Sequence, residues 1–277
     1  MNPLKNITVE GDDNIRKEAL NSCKLIYSYL SGPALRQKHL CLVTAINAVT
    51  CKNFGYMKDI ASNYPYADVA RRRYTKPGCS YSCVRDRGVV GSAFLNKPPH
   101  EEYSNLPLIA TLITQYGIGK SIEANEYAKK AVQYSLDIHH VNNLRNDTEE
   151  RRLSNFTKSL NQLKYLLSSG ECDYIQYVIF PLGIGRSGRI DEIWLAYYLP
   201  GILAFSKEIQ GKTVCFAVNE EVFVNLDHKY KNSTVANLLA SLKELEILKD
   251  VNNPVEISKD VCGADRDPLD FLYSPSL

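Results

Sequence analysis

Residues 173–218 constrain the fold of this chain more than any other stretch. Residues 174–180 are apolar, β-branched or aromatic, which predicts a short buried strand. Residues 192–209 carry apolar side chains at helical spacing, and Pro200 predicts a kink or a restart within that helix. Residues 212–218 predict a second strand. A strand, a helix and a strand in this order form a β-α-β unit, which implies a parallel pair with a right-handed crossover.

A glycine-containing loop joins the first strand of this unit to its helix. Gly183, Gly185 and Gly188 match the spacing of the dinucleotide-binding fingerprint. Free N–H groups and the helix dipole favour an anion there, and glycine lets the backbone approach a phosphate closely. A full dinucleotide-binding domain does not fit, because too little chain follows Gly188 and Glu220 lies too far along to be the acidic partner. The loop therefore predicts a phosphate site without identifying the family.

A second loop, residues 117–121, resembles the end of a phosphate-binding P-loop and also follows a predicted strand. The P-loop pattern requires a glycine five residues before Gly119, where this chain has Thr114. No apolar run ending in a magnesium-binding aspartate is evident. A nucleoside triphosphatase is therefore the weaker interpretation.

Strands and helices alternate along the chain, which predicts an α/β fold. The other predicted strands are residues 7–9, 40–48, 88–95 and 108–115, with a further candidate at 221–225. The other predicted helices are residues 15–30, 57–62, 122–136, 151–168 and 235–248, and residues 142–146 are expected to be a polar break.

The composition argues against several classes of protein. The chain has 33 Lys and Arg against 31 Asp and Glu, and its formal charge of +2 makes a nucleic-acid partner unexpected. The arginines at 71–73 fit a solvated face better than a phosphate contact. No apolar run approaches the ~20 residues of a membrane helix and no signal pattern opens the chain, so we expect an intracellular protein, cytoplasmic or nuclear, without a membrane partner. Cys79 and Cys83 lack the partners of a zinc site, so we expect neither a metal nor a cofactor.

Several short segments match a known pattern in order and spacing. These segments are residues 7–12, 44–47, 55–61, 64–68, 88–92, 113–120, 152–156 and 178–185. Together they resemble the loops and strand ends of macrodomains, the α/β/α modules that bind ADP-ribose, and are most similar to the diverged viral and microbial forms. The resemblance covers about residues 5–220.

The resemblance implies a three-layer α/β/α fold with a mixed, mostly parallel central sheet over residues 1–220, followed by a C-terminal extension at 221–277. It also implies ADP-ribose or an ADP-ribosylated protein as the partner. In that interpretation Asp12 holds the adenine amine, Asn47 faces the distal ribose, and Gly55 begins the helix after the first phosphate loop. The second phosphate loop would consist of Gly183, Ile184, Gly185, Arg186, Ser187 and Gly188.

Whether such a site performs catalysis depends on side chains that each have two interpretations. Asn47 orients the ribose for hydrolysis or forms the turn that ends its strand. Asp191 activates a water or begins the following helix. Arg186 grips a phosphate or points into solvent. Residues 48–54 lack the glycine run of hydrolytic members. Three hypotheses therefore stay open. They are an ADP-ribosyl hydrolase or ADP-ribose 1''-phosphate phosphatase, a non-catalytic reader, and a scaffold with a degenerate pocket that Phe54 and Arg186 partly fill.

Overall fold

A computed structural model describes residues 20–29, 32, 35–75, 77, 81–100, 104–186, 188–226 and 236–248. The predicted strand at 7–9 and the predicted ligand-binding residues Asp12 and Ser187 lie outside the described residues.

The strands form a single sheet with one antiparallel edge. They are β1 (Lys24–Tyr27), β2 (Leu40–Asn47), β3 (Ser92–Asn96), β4 (Leu108–Gln115), β5 (Tyr177–Pro181) and β6 (Thr213–Val218). Their order is β1-β6-β5-β2-β4-β3. Only β3 is antiparallel to its neighbour, β4, among the described strands. The predicted mixed, mostly parallel sheet is confirmed.

Helices cover both faces of this sheet. They are α1 (Tyr56–Asn63), α2 (Glu126–Tyr134), α3 (Ile138–Arg145), α4 (Glu149–Leu167), α5 (Leu199–Glu208), α6 (Glu220–Val224) and α7 (Ala236–Lys243). No helix within the described ranges has the length and apolar character needed to cross a membrane.

The side chains of each strand point alternately to the two faces of the sheet, and each face has its own hydrophobic core. In β2, Cys41 and Val43 join the core beneath α4 and α5, whereas Leu40 and Leu42 join the core beneath α1, α2 and α3. Successive side chains of a strand point to opposite faces, so a strand buried on both faces is apolar throughout. The three-layer α/β/α arrangement is confirmed.

The predicted β-α-β unit is present, with β5 and β6 paired in parallel. The helix between them begins at residues 192–193, passes through a π-helical turn at Trp194–Tyr198 and continues as α5. Pro200 lies in the first turn of α5, where its missing N–H and fixed φ are tolerated. The predicted restart at Pro200 therefore takes the form of a π turn before the proline.

The predicted helix at 15–30 is wrong for residues 24–27, which form β1. Leu25 belongs to one core and the adjacent Ile26 to the other, which is the two-residue alternation of a strand. The pairing of β1 with β6 overrides the local helical spacing.

Two shorter predictions are also wrong. The sequence predicts a polar break between helices at residues 142–146, but most of these residues lie in α3, whose first turn is capped by the Asp137 carboxylate. Residues 221–225 were a candidate strand, but α6 occupies most of them after an Asn219 cap. In both cases a capping side chain stabilises a helix whose own sequence is polar or β-branched.

Candidate ligand-binding cleft

A cleft of about 280 Å³ lies where β2 and β4 end. The two strands are neighbours and parallel, so their carboxyl ends meet at one edge of the sheet, where α/β proteins bind ligands. The lining residues are Ala45, Ile46, Asn47, Thr50, Lys52, Asn53, Phe54, Gly55, Tyr56, Met57, Thr114, Gln115, Ile118, Gly119 and Gly185. Lys52 is the only charged side chain among these described lining residues, so the cleft favours an anion.

The first loop, residues 48–54, is fixed from both sides. Asn47 Oδ1 accepts hydrogen bonds from the N–H groups of Val49 and Thr50, at 3.0 and 2.7 Å. Arg73 Nη1 donates to the carbonyl oxygens of Asn47 and Thr50, at 2.8 and 3.1 Å. The turn interpretation of Asn47 is confirmed, and its contact with a ribose stays a prediction. Arg73 is only 7% exposed, so the solvated interpretation of the 71–73 cluster is wrong for this residue, whose burial lowers its pKa.

Gly55 joins this loop to the amino end of α1. Its φ of +56° lies in the region that favours glycine, and it caps α1 without a side-chain hydrogen bond. A Cβ built on Gly55 would meet nothing within 4 Å. The N–H groups of Met57 and Lys58 donate to Phe54 O and Gly55 O, at 3.2 and 3.0 Å, whereas no described residue accepts from the Tyr56 N–H. Tyr56 lines the cleft, so its N–H and the positive end of the α1 dipole are available to an anion.

The second loop, residues 182–190, is a tight backbone turn. The N–H groups of Arg186 and Gly188 both donate to Gly183 O, each at 3.1 Å. A Cβ on Gly183 would lie 2.4 Å from the Gly188 carbonyl carbon, and one on Gly185 would lie 2.9 Å from the Tyr198 ring. Both glycines have positive φ. Gly185 lines the cleft, and no described residue accepts a hydrogen bond from its N–H, so this N–H is available to a ligand.

Arg186 lies in this loop but does not line the cleft. Its side chain is 5% exposed and forms ion pairs with Glu149 Oε1 and, at 2.8 Å, with Asp191 Oδ2. Burial alone would lower its pKa, but the hydrogen bonds and charges of Asp191 and Glu149 outweigh burial, and the pKa is raised. The expectations that Arg186 points into solvent or fills the pocket are wrong. A phosphate contact would require it to leave two carboxylates.

Asp191 begins the helix that follows the loop. Its Oδ1 accepts a hydrogen bond from the Trp194 N–H at 2.9 Å, and its Oδ2 accepts from Arg186. The helix-start interpretation is confirmed. Asp191 is not among the residues lining the cleft, and its catalytic role stays a prediction.

The third loop, residues 116–121, is held by a buried ion pair. The Asp147 carboxylate accepts from the N–H groups of Tyr116 and Gly117, at 2.9 and 2.8 Å. Arg152 contacts Asp147 and donates to the carbonyl oxygens of Gly119 and Lys120, at 2.7 and 3.0 Å. A carboxylate thus occupies two N–H groups that a P-loop would offer to phosphate, which argues further against the triphosphatase interpretation.

No protein-family model and no curated protein matches this chain. Among solved structures, a macrodomain mutant from Oceanobacillus iheyensis is similar at 11% sequence identity and a TM-score of 0.42, over 74% of this chain and 93% of that one. A Trypanosoma brucei macrodomain is similar at 12% identity and a TM-score of 0.41, over 74% and 65% of the two chains. An alphavirus P23pro-zbd structure is similar at 12% identity and a TM-score of 0.41. That match covers 82% of this chain, which spans 25% of the alphavirus chain.

Two of these structures are of the kind that the sequence motifs resemble. At such identities and scores the comparison assigns neither a family nor a ligand to this chain. The function proposed below rests on the cleft.

Sequence reasoning placed Asn47, Gly55 and Gly185 at the cleft and missed the side chains that fix its loops. Arg73 and Asp147 contact main-chain groups close to them in space and far from them in sequence. A charged residue flanking a predicted loop is too common to identify such a role.

Proposed function

We propose that the cleft binds ADP-ribose, free or attached to a protein. The observation that carries this proposal is that two backbone donors without a described acceptor line one cleft, the Tyr56 N–H at the start of α1 and the Gly185 N–H of the second loop. A pyrophosphate needs backbone donors, an electropositive surrounding and no nucleophile.

The rest of the lining suits the other parts of such a ligand. Lys52 adds a positive charge, and Asn47, Thr50 and Gln115 provide polar groups for ribose hydroxyls. Phe54, 58% exposed, and Ile118 present apolar surface on which a base or sugar can pack. The cleft volume, about 280 Å³, is just below the roughly 300–1,000 Å³ of small-molecule sites. Asp12, predicted to hold the adenine, lies outside the described residues.

Of the possible activities, we favour a non-catalytic reader of ADP-ribose. The Asn47 side-chain oxygen is committed to two N–H groups, and both Asp191 oxygens are committed to protein donors. An ADP-ribosyl hydrolase or ADP-ribose 1''-phosphate phosphatase using Asn47 and Asp191 is the second candidate. Release of ADP-ribose from a modified protein, or of phosphate from the phosphorylated ligand, would establish it.

Calorimetric titration with ADP-ribose, with ATP and NAD as controls, tests the proposal. We expect selective micromolar binding, about 8 kcal/mol, that weakens in Asp12→Ala. Lys52→Glu places a negative charge beside the phosphates and should weaken binding about tenfold or more. Lys207→Glu is the matched control, because Lys207 is exposed in the last turn of α5 and does not line the cleft. Absence of ADP-ribose binding by the wild type would reject the proposed function and leave the scaffold hypothesis.

A further inference from the structure

The two loops that contribute Gly185 and Gly119 to the cleft are both attached to the first turn of α4. Glu149, the first residue of α4, pairs with Arg186 of the second loop. Arg152, one turn along, donates to two carbonyl oxygens of the third loop.

These attachments are buried. The side chains of Arg152 and Asp147 are 5% and 3% exposed, and those of Arg186 and Glu149 are 5% and 9% exposed. A buried ion pair contributes little net stability, because desolvation offsets its Coulomb attraction, but its geometry is narrowly defined. Arginine is suited to this role, since its planar donors fix direction at several acceptors at once.

A third contact strengthens the link between α4 and the cleft. The Tyr198 hydroxyl donates to Glu149 Oε1 at 3.1 Å, and the Tyr198 ring lies so close to Gly185 that a Cβ there would clash. Gly185 is therefore positioned through Glu149 on one side and Tyr198 on the other.

We propose that Glu149 and Arg152 are positioning residues that set the separation of the second and third loops, and thereby the affinity of the cleft for its anionic ligand. This inference rests on the proposed function for its ligand. Neither side chain lines the cleft. Both act through the backbone groups that do.

The test uses Glu149→Gln and Arg152→Lys in the full chain. Their matched controls are Glu150→Gln and Arg151→Lys, which make the same changes one residue away at exposed positions. We expect each of the two variants to weaken ADP-ribose binding about tenfold and each control to bind as the wild type does.

Two measurements on the ligand-free protein report the loops directly. Amide exchange should rise at residues 182–190 in Glu149→Gln and at residues 116–121 in Arg152→Lys. In each variant the other loop should exchange as it does in the wild type. Trp194 is the only tryptophan of the chain, and its indole N–H donates to Ile184 O at 3.0 Å. Its fluorescence should therefore shift in Glu149→Gln and stay unchanged in Arg152→Lys.

Each outcome decides something. If the wild type binds ADP-ribose and both folded variants bind it equally well, the positioning role is overturned. If Glu149→Gln does not fold, Arg152→Lys alone carries the affinity and exchange tests. Failure of the wild type to bind rejects the proposed function, and unchanged exchange in both loops would then reject the link to α4 as well.

Discussion

Asn47 combines a structural role and a predicted ligand contact in one side chain, and two substitutions separate them. Asn47→Ala removes the acceptor for the Val49 and Thr50 N–H groups, and we expect it to lower the free energy of unfolding by about 1–3 kcal/mol. Asn47→Asp keeps the acceptor, so its unfolding free energy should be near that of the wild type. If the amide N–H faces the ligand, Asn47→Asp should nevertheless lose ADP-ribose affinity. Denaturant unfolding and calorimetry distinguish these outcomes, and equal stability of all three proteins would contradict the turn.

His140 is a residue-scale feature that no sequence pattern marked. It is 5% exposed, stacks on Tyr81 with ring centroids 3.8 Å apart, and lies 3.1 Å from the Tyr116 hydroxyl. Burial, followed by the positive charge of Arg87, lowers the pKa of His140 to about 4, although Asp137 opposes this effect.

The lowered pKa predicts a pH dependence of stability. Between about pH 4 and pH 6.5 the unfolded chain binds a proton at His140 that the folded protein excludes, so stability rises with pH in this window. The stability that depends on a neutral His140 is fully present above about pH 6.5 and is lost as the pH falls toward 4. When the pH is lowered from about 7 to about 5, we expect the free energy of unfolding to fall by about 2 kcal/mol more in the wild type than in His140→Phe. Denaturant unfolding at the two pH values measures this, with exposed His100→Gln as the control, and parallel pH profiles for wild type and His140→Phe would refute it.

At the scale of elements, we expect the first turn of α4 to affect both the stability of the protein and its affinity for ADP-ribose. Thr148 caps α4 by accepting from the Arg151 N–H at 3.1 Å. Thr148→Ala should lower the unfolding free energy by about 1 kcal/mol and also weaken ADP-ribose binding, because the same turn carries Glu149 and Arg152. Thr157→Ala, on the exposed face of the same helix, is the control and should reduce neither quantity. Lost stability with unchanged affinity would mean that the turn does not position the loops.

Strands that are buried on both faces of the sheet could be predicted from the sequence alone. Strands β2 and β4 are buried on both faces, and their mostly apolar sequences identify them without tertiary information. β1 has four residues, and only its pairing with β6 distinguishes it from a helix. The glycine loops were predictable because positive φ selects glycine, whereas their charged anchors depend on contacts between distant parts of the chain, such as Arg186 with Glu149.

At the scale of the whole molecule, the described residues beyond residue 220, at 221–226 and 236–248, pack on the same core as the sheet. Leu239, Leu242 and Leu245 are buried among residues of the α4 and α5 face. Leu25 of β1 donates to Glu246 O at 2.9 Å and accepts from the Leu248 N–H at 2.8 Å, so this segment extends the sheet edge. The boundary near residue 220 stays a prediction, which a pair of truncations can test.

A chain ending at residue 226 loses these leucines and uncovers the edge of β1. Full burial of each leucine is worth about 1.5–3 kcal/mol, and a domain has only about 5–15 kcal/mol in total. We therefore expect that chain to melt at a much lower temperature than the full protein, or not to fold, whereas a chain ending at residue 248 keeps the contacts. Thermal unfolding of the three chains measures this, and exchange at residues 24–27 reports the uncovered edge. Equal melting temperatures would instead mean that residues 227–277 are a separate extension, because a shared core cannot lose three buried leucines without losing stability.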